Sequence, residues 1–341
     1  MYIEAGLLSC LGELCARHLP DRRLAIISDE RVALAIAPPI DAPHFTFAAG
    51  ESSKSRESWA QLTDALLGEG FGRDSAIVSL GGGVTGDLAG FVAATYLRGI
   101  PWLQVPTTLL AMLDASVGGK TGVDTPAGKN LVGAFHQPVA VVMDPEVLRS
   151  LPLEDLRNGL AEAVKHAAIL DADHFAWLGA SVADILAREA VTIESLLRRN
   201  VEIKASVVQT DEREGGRRAI LNAGHTIGHA IEHASGFSLS HGEAVAIGLV
   251  AEARLGERLG VTETGTAAKL ATLFEGFGLP VRVPEALDAE TIVSALRNDK
   301  KNRANEIRVV LLSRIGAVKG SESYGWTVAV PESLLRESLT S

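Results

Sequence analysis

The strongest constraint on the fold is an alternation of short apolar runs with helical stretches near the start of the chain. Four apolar runs are predicted to form strands, at residues 24–28, 76–80, 102–106 and 140–143. Helical periodicity lies between them, most clearly at residues 59–67 and 88–96. Alternation of this kind predicts a parallel sheet that helices cover on both faces.

The pattern changes at Asp144. The sequence Asp144-Pro145-Glu146 is typical of a helix start, because it offers a capping side chain, a proline at the first helical position and an acid in the first turn. Helical periodicity then dominates, most clearly at residues 185–208 and 244–259. Two late apolar runs, residues 307–312 and 326–330, are predicted to form a small hairpin or edge pair.

These patterns predict two domains, an α/β domain over residues 1–144 and a mainly helical domain over residues 145–341. A chain of 341 residues is long enough to form two hydrophobic cores. A binding site is expected in the cleft between such domains, since small-molecule sites concentrate there.

Charge and cysteine content exclude several function classes. The net charge is −10 and no block is rich in lysine or arginine, which argues against nucleic acid as a partner. Cys10 and Cys15 lack metal-ligand or redox spacing and suit free thiols in a reducing compartment. No signal peptide is recognisable, and no apolar stretch approaches the ~20 residues that span a bilayer. The chain is therefore expected in the cytoplasm, and an anionic substrate would need a locally basic pocket.

A glycine-rich segment follows the predicted strand at residues 76–80. The sequence Gly81-Gly82-Gly83-Val84-Thr85-Gly86-Asp87 matches G-x-G-x-x-G, in which backbone N–H groups approach a pyrophosphate at a helix N-terminus. The acidic residue that usually binds the ribose ~20 positions later is absent. The residues alone leave two interpretations open, a dinucleotide site or a tight strand-to-helix turn.

A second glycine-rich segment, Gly118-Gly119-Lys120-Thr121, resembles the end of a P-loop. Asp114 occupies the position of the first P-loop glycine, so a nucleoside triphosphatase is rejected. Residues 107–130 are nevertheless dense in polar groups with apolar residues between them. That mixture favours the lining of a site over a solvated loop.

Four histidines fall within a short C-terminal segment. His225, His229 and His233 recur every four residues, on one face of a predicted helix, and His241 follows them. Ser240-His241-Gly242-Glu243 is typical of a capping box, which places His241 at the first position of another helix. Two histidines and a carboxylate, such as the upstream Glu162, are a usual ligand set for catalytic zinc. Spacing alone does not say which histidines bind or whether Glu162 joins them.

Several long segments together resemble the 3-dehydroquinate synthase family of sugar phosphate cyclases. The matching segments are GGGVTGDLAGFVAATYLRG (81–99), VPTTLLAMLDASVGGKTGVDTPAGKNLVGAFHQP (105–138), LAEAVKH (160–166), DEREGG (211–216), LNAGHTIGHAIE (221–232), SHGEAVAIGL (240–249) and, more weakly, DKKN (299–302). The resemblance implies an α/β N-terminal Rossmann-like NAD-binding domain and a mainly α-helical C-terminal metal-binding domain. It also implies the second reaction of the shikimate pathway, in which 3-deoxy-D-arabino-heptulosonate 7-phosphate becomes 3-dehydroquinate and phosphate. NAD would be used catalytically with a divalent zinc or cobalt ion, in a homodimer.

The resemblance further implies roles for individual residues. The metal ligands would be Glu162, His225 and His241, with His229 as an acid–base or phosphate-contacting neighbour and His233 as a structural residue. The residues that contact NAD would be Asp29, Glu51, Lys54, Gly82, Gly83, Val84, Asp87, Thr107, Thr108, Lys120, Lys129 and Ser150. The catalytic and substrate-binding residues would be Asp114, Lys120, Lys129, Asn130, Lys165, Lys204, Arg218, Asn222 and Lys300. Arg98 matches an arginine that the family donates across the dimer interface to the phosphate of the neighbouring subunit.

Some positions depart from the family pattern. Arg31 replaces an asparagine that often contacts adenosine, and the segment 31–47 is shorter than usual. Ser150 occupies a position where a cofactor-contacting threonine is common, and it keeps the hydroxyl. Asp124 replaces a frequent asparagine in the loop that carries Lys120.

Three other interpretations compete with this one. Another sugar phosphate cyclase would share the fold and cofactors but make a cyclitol such as a valiolone or inosose. Lys204, Arg218 and Asn222 favour the dehydroquinate product, because a substrate carboxylate needs cationic and amide partners. A polyol dehydrogenase of the glycerol dehydrogenase type would share the two-domain plan but release NADH. A non-catalytic homologue is disfavoured because every expected metal and phosphate residue is present.

Overall fold

The computed structural model describes residues 1–38, 40–298 and 306–339. Lys300 and the DKKN segment therefore lie outside the described residues. The chain divides into two compact units, Met1–Leu156 with Ala190–Val201, and Arg157–Glu189 with Glu202–Ser341. The domain boundary expected after residue 144 stays a prediction.

A six-stranded parallel sheet organises the first unit. Its strands are β1 (Tyr2–Ile3), β2 (Arg23–Asp29), β3 (His44–Phe47), β4 (Ser75–Gly81), β5 (Trp102–Pro106) and β8 (Ala140–Met143). They lie in the order β1-β8-β5-β4-β2-β3. The four predicted strands are confirmed. Neighbouring residues of one strand serve different cores, since Ile77 packs in one hydrophobic cluster and Val78 in another. Both faces of the sheet are therefore buried, which explains the uninterrupted apolar runs.

Helices connect these strands. They are α1 (Leu11–His18), α2 (Glu30–Ala35), α3 (Arg56–Gly68) and α4 (Gly83–Thr95), with short 3-10 helices at Leu7–Cys10, Glu51–Ser53, Tyr96–Arg98 and Pro145–Ser150 and a π-helical turn at Ala111–Ala115. The helix start at Asp144 is confirmed, because its side chain accepts a hydrogen bond from the Glu146 N–H at 3.0 Å. It opens a 3-10 helix rather than an α-helix.

An antiparallel hairpin occupies much of the polar segment that the sequence marked as a site lining. It consists of β6 (Lys120–Thr125) and β7 (Gly128–Phe135). Glycines allow the two strands to approach closely, since a β-carbon at Gly133 would lie 2.1 Å from the Thr121 carbonyl oxygen. The apolar alternation that normally reveals a strand is weak here, so no strands were predicted.

The second unit is mainly helical. Its helices are α5 (Leu153–Leu170, whose first turn belongs to the first unit), α6 (Ala172–Ala180), α7 (Val182–Leu186), α8 (Ala190–Thr210, shared between the units), α9 (His225–Ala234), α10 (His241–Arg258), α11 (Thr266–Gly276), α12 (Ala289–Asn298) and α13 (Glu332–Leu339), with a 3-10 helix at Arg217–Asn222. The described part of this unit also contains the short strands β9 (Ile307–Val309), β10 (Leu312–Arg314), β11 (Ala317–Val318) and β12 (Val328–Val330). The predicted late pair is confirmed as the antiparallel pairing of β9 with β12.

The single helix predicted for residues 185–208 is wrong at its start. The chain leaves the helical conformation after α7, where Arg188 adopts φ +57°. A left-handed residue cannot continue a right-handed helix, so α8 begins separately at Ala190. Among the described residues, no helix combines the length and apolar character needed to cross a membrane.

Candidate metal and cofactor sites

Three side chains of the second unit converge on one point. Glu162 lies on α5 and is fully buried, while His225 and His241 are the first residues of α9 and α10. The Nε2 atoms of His225 and His241 lie 3.4 and 3.5 Å from the same Glu162 oxygen, Oε1. One potential ligand atom from each residue lies within 4.8 Å of the others. A carboxylate and two imidazoles held this closely are the donor set of a catalytic zinc or cobalt ion, with room for a further ligand.

The other imidazole nitrogens are also engaged. Nδ1 of His225 lies 3.1 Å from the Ala223 carbonyl, so the N–H belongs on Nδ1 and the Nε2 lone pair faces Glu162. Nδ1 of His241 lies 3.5 Å from Oε2 of the buried Glu232. Such outer partners orient the rings of metal-binding histidines and raise their basicity.

Charges around the cluster push the two imidazoles in opposite directions. Burial and the nearby Lys165 ammonium lower the pKa of His225 well below its ordinary value. Burial also opposes a charge on His241, but hydrogen bonds to Glu162 and Glu232 raise its pKa to about 9. Metal binding at His241 would therefore compete with protonation of this imidazole. Lys165 itself is buried and forms an ion pair with Glu162 Oε2.

His229 offers a second grouping that fits a metal less well. His229, Glu232 and His241 also come within ligand distance of one another. However, His229 is exposed, and its Nε2 lies 3.9 Å from Glu232. The spacing of the histidines gave no way to choose between His225 and His229. Because His225 is less exposed than His229 and begins a helix, the structure favours His225 as the metal ligand.

The predicted carboxylate-binding residues sit beside a turn that Asp211 holds through hydrogen bonds. The Asp211 carboxylate accepts hydrogen bonds from the N–H groups of Gly215, Gly216 and Arg218, at 2.8, 2.8 and 2.9 Å. These donors lower the pKa of Asp211. The guanidinium of the buried Arg218 in turn donates to the Glu212 carbonyl. The turn therefore holds both the backbone and the guanidinium group of Arg218 in place.

Asn222 and Lys204 belong to the same unit. The Asn222 side-chain amide donates to Glu214 Oε1 at 3.0 Å. Lys204 is buried on α8, with 5% of its surface exposed. A buried cation and a half-buried amide suit a small anionic ligand, because low dielectric surroundings strengthen charge-assisted hydrogen bonds.

In the first unit, the glycine-rich segment adopts the strand–turn–helix context that a dinucleotide site requires. β4 ends at Gly81, Gly82 is the N-cap of α4, and no side chain caps the helix. The first N–H groups of α4 are thus available to a pyrophosphate, which the helix dipole also favours. Asp87 follows one turn into the helix.

The neighbouring strands deliver further predicted residues to the same edge of the sheet. Asp29 ends β2 and accepts hydrogen bonds from the N–H groups of Arg31 and Val32, at 3.0 and 3.1 Å. Thr107 follows β5, and its N–H donates to the Gly81 carbonyl at 2.9 Å. Ligands of open parallel sheets bind at the carboxyl ends of the strands, so this edge is the expected cofactor site.

Lys54 forms the centre of a cluster of carboxylates in this unit. Its Nζ lies 3.2 Å from Glu51, 3.3 Å from Asp87 and 3.7 Å from Asp124, although only 5% of the residue is exposed. Burial opposes the charge of Lys54, but Coulomb attraction to these three carboxylates raises its pKa. Burial raises the pKa of Asp87 to about 6, although the Lys54 ammonium lowers it.

Comparison with known proteins agrees with this arrangement. The family model described as 3-dehydroquinate synthase N-terminal matches residues 44–158, and the model described as 3-dehydroquinate synthase C-terminal matches residues 159–302. The chain is 46% identical over 329 residues to a 3-dehydroquinate synthase from Symbiobacterium thermophilum, covering 93% of this chain and 92% of that protein. The chain belongs to the 3-dehydroquinate synthase family.

Solved structures of other sugar phosphate cyclases share the fold of this chain. A 2-deoxy-scyllo-inosose synthase complexed with carbaglucose-6-phosphate, NAD+ and Co2+ superposes with a TM-score of 0.89 at 27% identity, covering 99% of this chain and 95% of that one. A 2-epi-5-epi-valiolone synthase from Streptomyces hygroscopicus with NAD+ and Zn2+ bound gives a TM-score of 0.87 at 28% identity, covering 99% and 96%. The α/β sheet followed by a helical region, predicted from the sequence, is confirmed.

Other predicted residues lie elsewhere in the first unit, and two of them border the Lys54 cluster, since Lys129 lies 3.9 Å from Glu51 and the Asn130 N–H donates to Asp124. Arg98 is exposed at the end of the 3-10 helix Tyr96–Arg98, and Ser150 is exposed with its hydroxyl donating to the Val147 carbonyl at 3.1 Å. The remaining predicted residues of the first unit lie in or near the hairpin, with Asp114 half-buried and Lys120, Lys129 and Asn130 exposed. The roles assigned to them stay predictions.

Several residues that shape these sites were missed in the sequence. Glu232 contacts the predicted ligand His241, and Asp211 organises the turn that leads to Arg218. Glu252 on α10 accepts a hydrogen bond from the N–H of Gly224, which precedes His225. Only Glu252 carried a usable signal, since a carboxylate stands alone within the apolar run of α10.

Proposed function

We propose that this chain is a 3-dehydroquinate synthase, a carbon–oxygen lyase that converts 3-deoxy-D-arabino-heptulosonate 7-phosphate to 3-dehydroquinate and phosphate. One observation carries the proposal. Glu162, His225 and His241 converge in a chain that is 46% identical, over 93% of its length, to a 3-dehydroquinate synthase.

Both cofactors of the related cyclases suit the residues present. Glu162, His225 and His241 would hold zinc or cobalt, and the start of α4 with Asp29, Asp87, Thr107 and Thr108 would hold NAD. When bound, NAD would accept a hydride from the substrate and later return it, while the divalent ion would favour ionisation of the hydroxyl that is oxidised. No net NADH would form, because the same cofactor is reduced and reoxidised.

The protein's own residues would mainly bind and orient charged groups. Lys204, Arg218 and Asn222 would bind the substrate carboxylate, since they are two cations and an amide in one unit. Lys120, Lys129 and Asn130 would bind the phosphate, and His229 would contact the phosphate or act as an acid–base neighbour. Asp114 and Lys165, whose ammonium is paired with Glu162, would complete the set. Positioning and charge neutralisation replace a single dominant base.

We further propose that the active form is a cytoplasmic homodimer in which Arg98 reaches the substrate phosphate of the neighbouring subunit. An exposed arginine with a left-handed backbone suits this role, because it is held at the surface of its own chain. Lys300, in the segment outside the described residues, would add a further cation.

The direct test is phosphate release from 3-deoxy-D-arabino-heptulosonate 7-phosphate, with and without a metal chelator. We expect release that chelation abolishes and that added Zn²⁺ or Co²⁺ restores. Sedoheptulose 7-phosphate and glucose 6-phosphate should not react. Reaction of either sugar phosphate in place of the heptulosonate would indicate a valiolone- or inosose-type cyclase, and net NADH absorbance would indicate a polyol dehydrogenase.

A further inference from the structure

Helix α9, which begins with the ligand candidate His225, lacks a cap of its own. Its N-cap residue is Gly224, and no side chain of that residue can accept a hydrogen bond from the first turn. By contrast, α10 begins with a complete capping box, in which Ser240 and Glu243 bond each other's backbone N–H groups. The two helices that start with the candidate ligands are thus stabilised in different ways.

Glycine is required at position 224 by both conformation and space. Gly224 adopts φ +78°, which is left-handed. A β-carbon there would lie 2.9 Å from the Leu249 Cβ and 3.0 Å from the Val245 carbonyl oxygen, both on α10. A capping Ser, Thr or Asp therefore cannot occupy the position, and the cap must come from elsewhere.

Glu252 on α10 supplies the missing acceptor. Its Oε2 accepts a hydrogen bond from the Gly224 N–H at 2.6 Å, and the Ile227 N–H faces the same carboxylate and lowers its pKa. These are the N–H groups of the N-cap and of the third helical residue, which in a capping box are satisfied by two separate side chains. Only 1% of Glu252 is exposed, so water cannot replace it.

A buried carboxyl at this place needs a reason, because it weakens the core around it. Burial raises the pKa of Glu252 to about 8, although the two backbone donors lower it. Its second oxygen, Oε1, is buried with no hydrogen-bond partner among the described residues. An apolar residue would pack at less cost, except that it would leave the start of α9 without acceptors.

We propose that Glu252 is a positioning residue, which caps α9 from the neighbouring helix and so fixes the imidazole of His225 for metal binding. The inference rests on the metal site of the proposed function but not on the reaction. His225 is the first residue of the capped turn, and its Nδ1–H already depends on the Ala223 carbonyl one residue before Gly224. Fraying of that turn would move both the backbone of His225 and the group that orients its ring.

The test is the affinity of the metal-free full chain for Zn²⁺ alone, measured by calorimetry in the parent protein and in three variants. Glu252→Gln keeps the shape and an acceptor oxygen, and should stay within about threefold of the parent. Glu252→Ala removes both acceptors, and Glu252→Asp shortens the reach. Each of these two should raise the Kd for Zn²⁺ by ~10–100-fold, the usual effect of losing an outer-shell partner. The visible spectrum of bound Co²⁺ should change in the same two variants.

A matched control separates positioning from loss of stability. Thr262→Val removes a buried hydrogen bond from the Thr262 hydroxyl to the Leu312 carbonyl, in the loop after α10. It should lower Tm yet leave the Kd for Zn²⁺ and the Co²⁺ spectrum unchanged. If Glu252→Ala does not fold, Glu252→Asp decides the question. A parent-like Kd and spectrum in a folded Asp or Ala variant would overturn the role of Glu252 alone, whereas a parent chain that binds no Zn²⁺ would overturn the metal site as well.

Discussion

The centroids of the His225 and His241 imidazole rings lie 5.2 Å apart, and each histidine is the first residue of its helix. A helix N-terminus carries a partial positive charge, which opposes a charge on the imidazole, although contacts with Glu162 and Glu232 outweigh this effect at His241. Capping of the helix also fixes the backbone of its first residue. The fold therefore holds two ligand candidates through the starts of two packed helices, and completes the set with a carboxylate from a third.

His241→Ala should abolish metal binding and phosphate release. The change removes one of three donors, so the loss should exceed the ~10–100-fold that removal of an outer-shell partner costs. Zinc content after dialysis and phosphate release report it together. His233→Ala is the matched control, because His233 is exposed on α9 and belongs to none of the candidate metal groups. Normal zinc content in His241→Ala would rule His241 out as a ligand.

Stability should depend on pH through Asp87. Its pKa is raised in the folded chain from 3.8 to about 6, so the folded state holds the proton more tightly than the unfolded state does. The stabilising contribution is therefore fully present below 3.8 and is lost as the pH rises through about 6. Asp87→Asn removes this loss, and its stability relative to the parent should improve by about 1 kcal/mol between about pH 5 and about pH 8.

Urea denaturation of the metal- and NAD-free chain at both pH values measures the Asp87 effect. Asp64→Asn, an exposed change on α3, provides the control and should show no such trend. A difference between Asp87→Asn and the parent that is independent of pH would mean that Asp87 titrates as an ordinary carboxyl.

The elements predicted best are those whose sequence pattern reflects a single environment. Strands β2, β4, β5 and β8 are buried on both faces, so aliphatic content alone marked them. β1 has only two residues and β3 buries only its last residue, Phe47, so neither offers a comparable signal. The hairpin β6–β7 depends on glycines that let its two strands approach. Which residues face each other across a hairpin is not visible in a single stretch of sequence, so this hairpin was not predicted.

The sequence predicted the candidate metal ligands but not the residues that position them. Histidine spacing and the capping box at Ser240 located the metal-binding region, and family resemblance selected Glu162. The partners Glu232 and Glu252 act on residues of other turns or helices, so their roles depend on three-dimensional contacts. Gly224 shows the same limit, because its left-handed backbone and its contact with Leu249 arise only when α9 packs on α10.

Asp124→Asn should strengthen NAD binding. Asp124 lies 3.7 Å from the Lys54 ammonium, which two other carboxylates also approach, and its Oδ1 accepts a hydrogen bond from the Asn130 N–H at 2.8 Å. The asparagine keeps the acceptor while removing a negative charge near the proposed site of the NAD pyrophosphate. We expect a Kd for NAD lower by about two- to tenfold, since tenfold corresponds to about 1.4 kcal/mol.

Asp124→Ala tests the second contact of that carboxylate. It removes the charge and the acceptor for Asn130 together, so the hairpin backbone loses a support that asparagine would keep. NAD titration followed by protein fluorescence compares the two variants. Equal affinities in the alanine variant, the asparagine variant and the parent would show that this cluster does not influence the cofactor.

The proposed sharing of Arg98 between subunits predicts complementation between two inactive variants. Leu97 and Arg98 adopt φ +49° and +68°, two consecutive left-handed residues without glycine, at a cost of roughly 1–2 kcal/mol each. Such backbone strain is retained mostly where function needs it.

Arg98→Ala and His241→Ala chains should each be inactive alone. A heterodimer, purified through two different tags after co-expression, pairs an intact metal site on the first chain with Arg98 from the second. It should recover about half of the parent turnover, because one of two equivalent sites is complete. An inactive heterodimer, or an active Arg98→Ala homodimer, would show that Arg98 does not serve the neighbouring subunit.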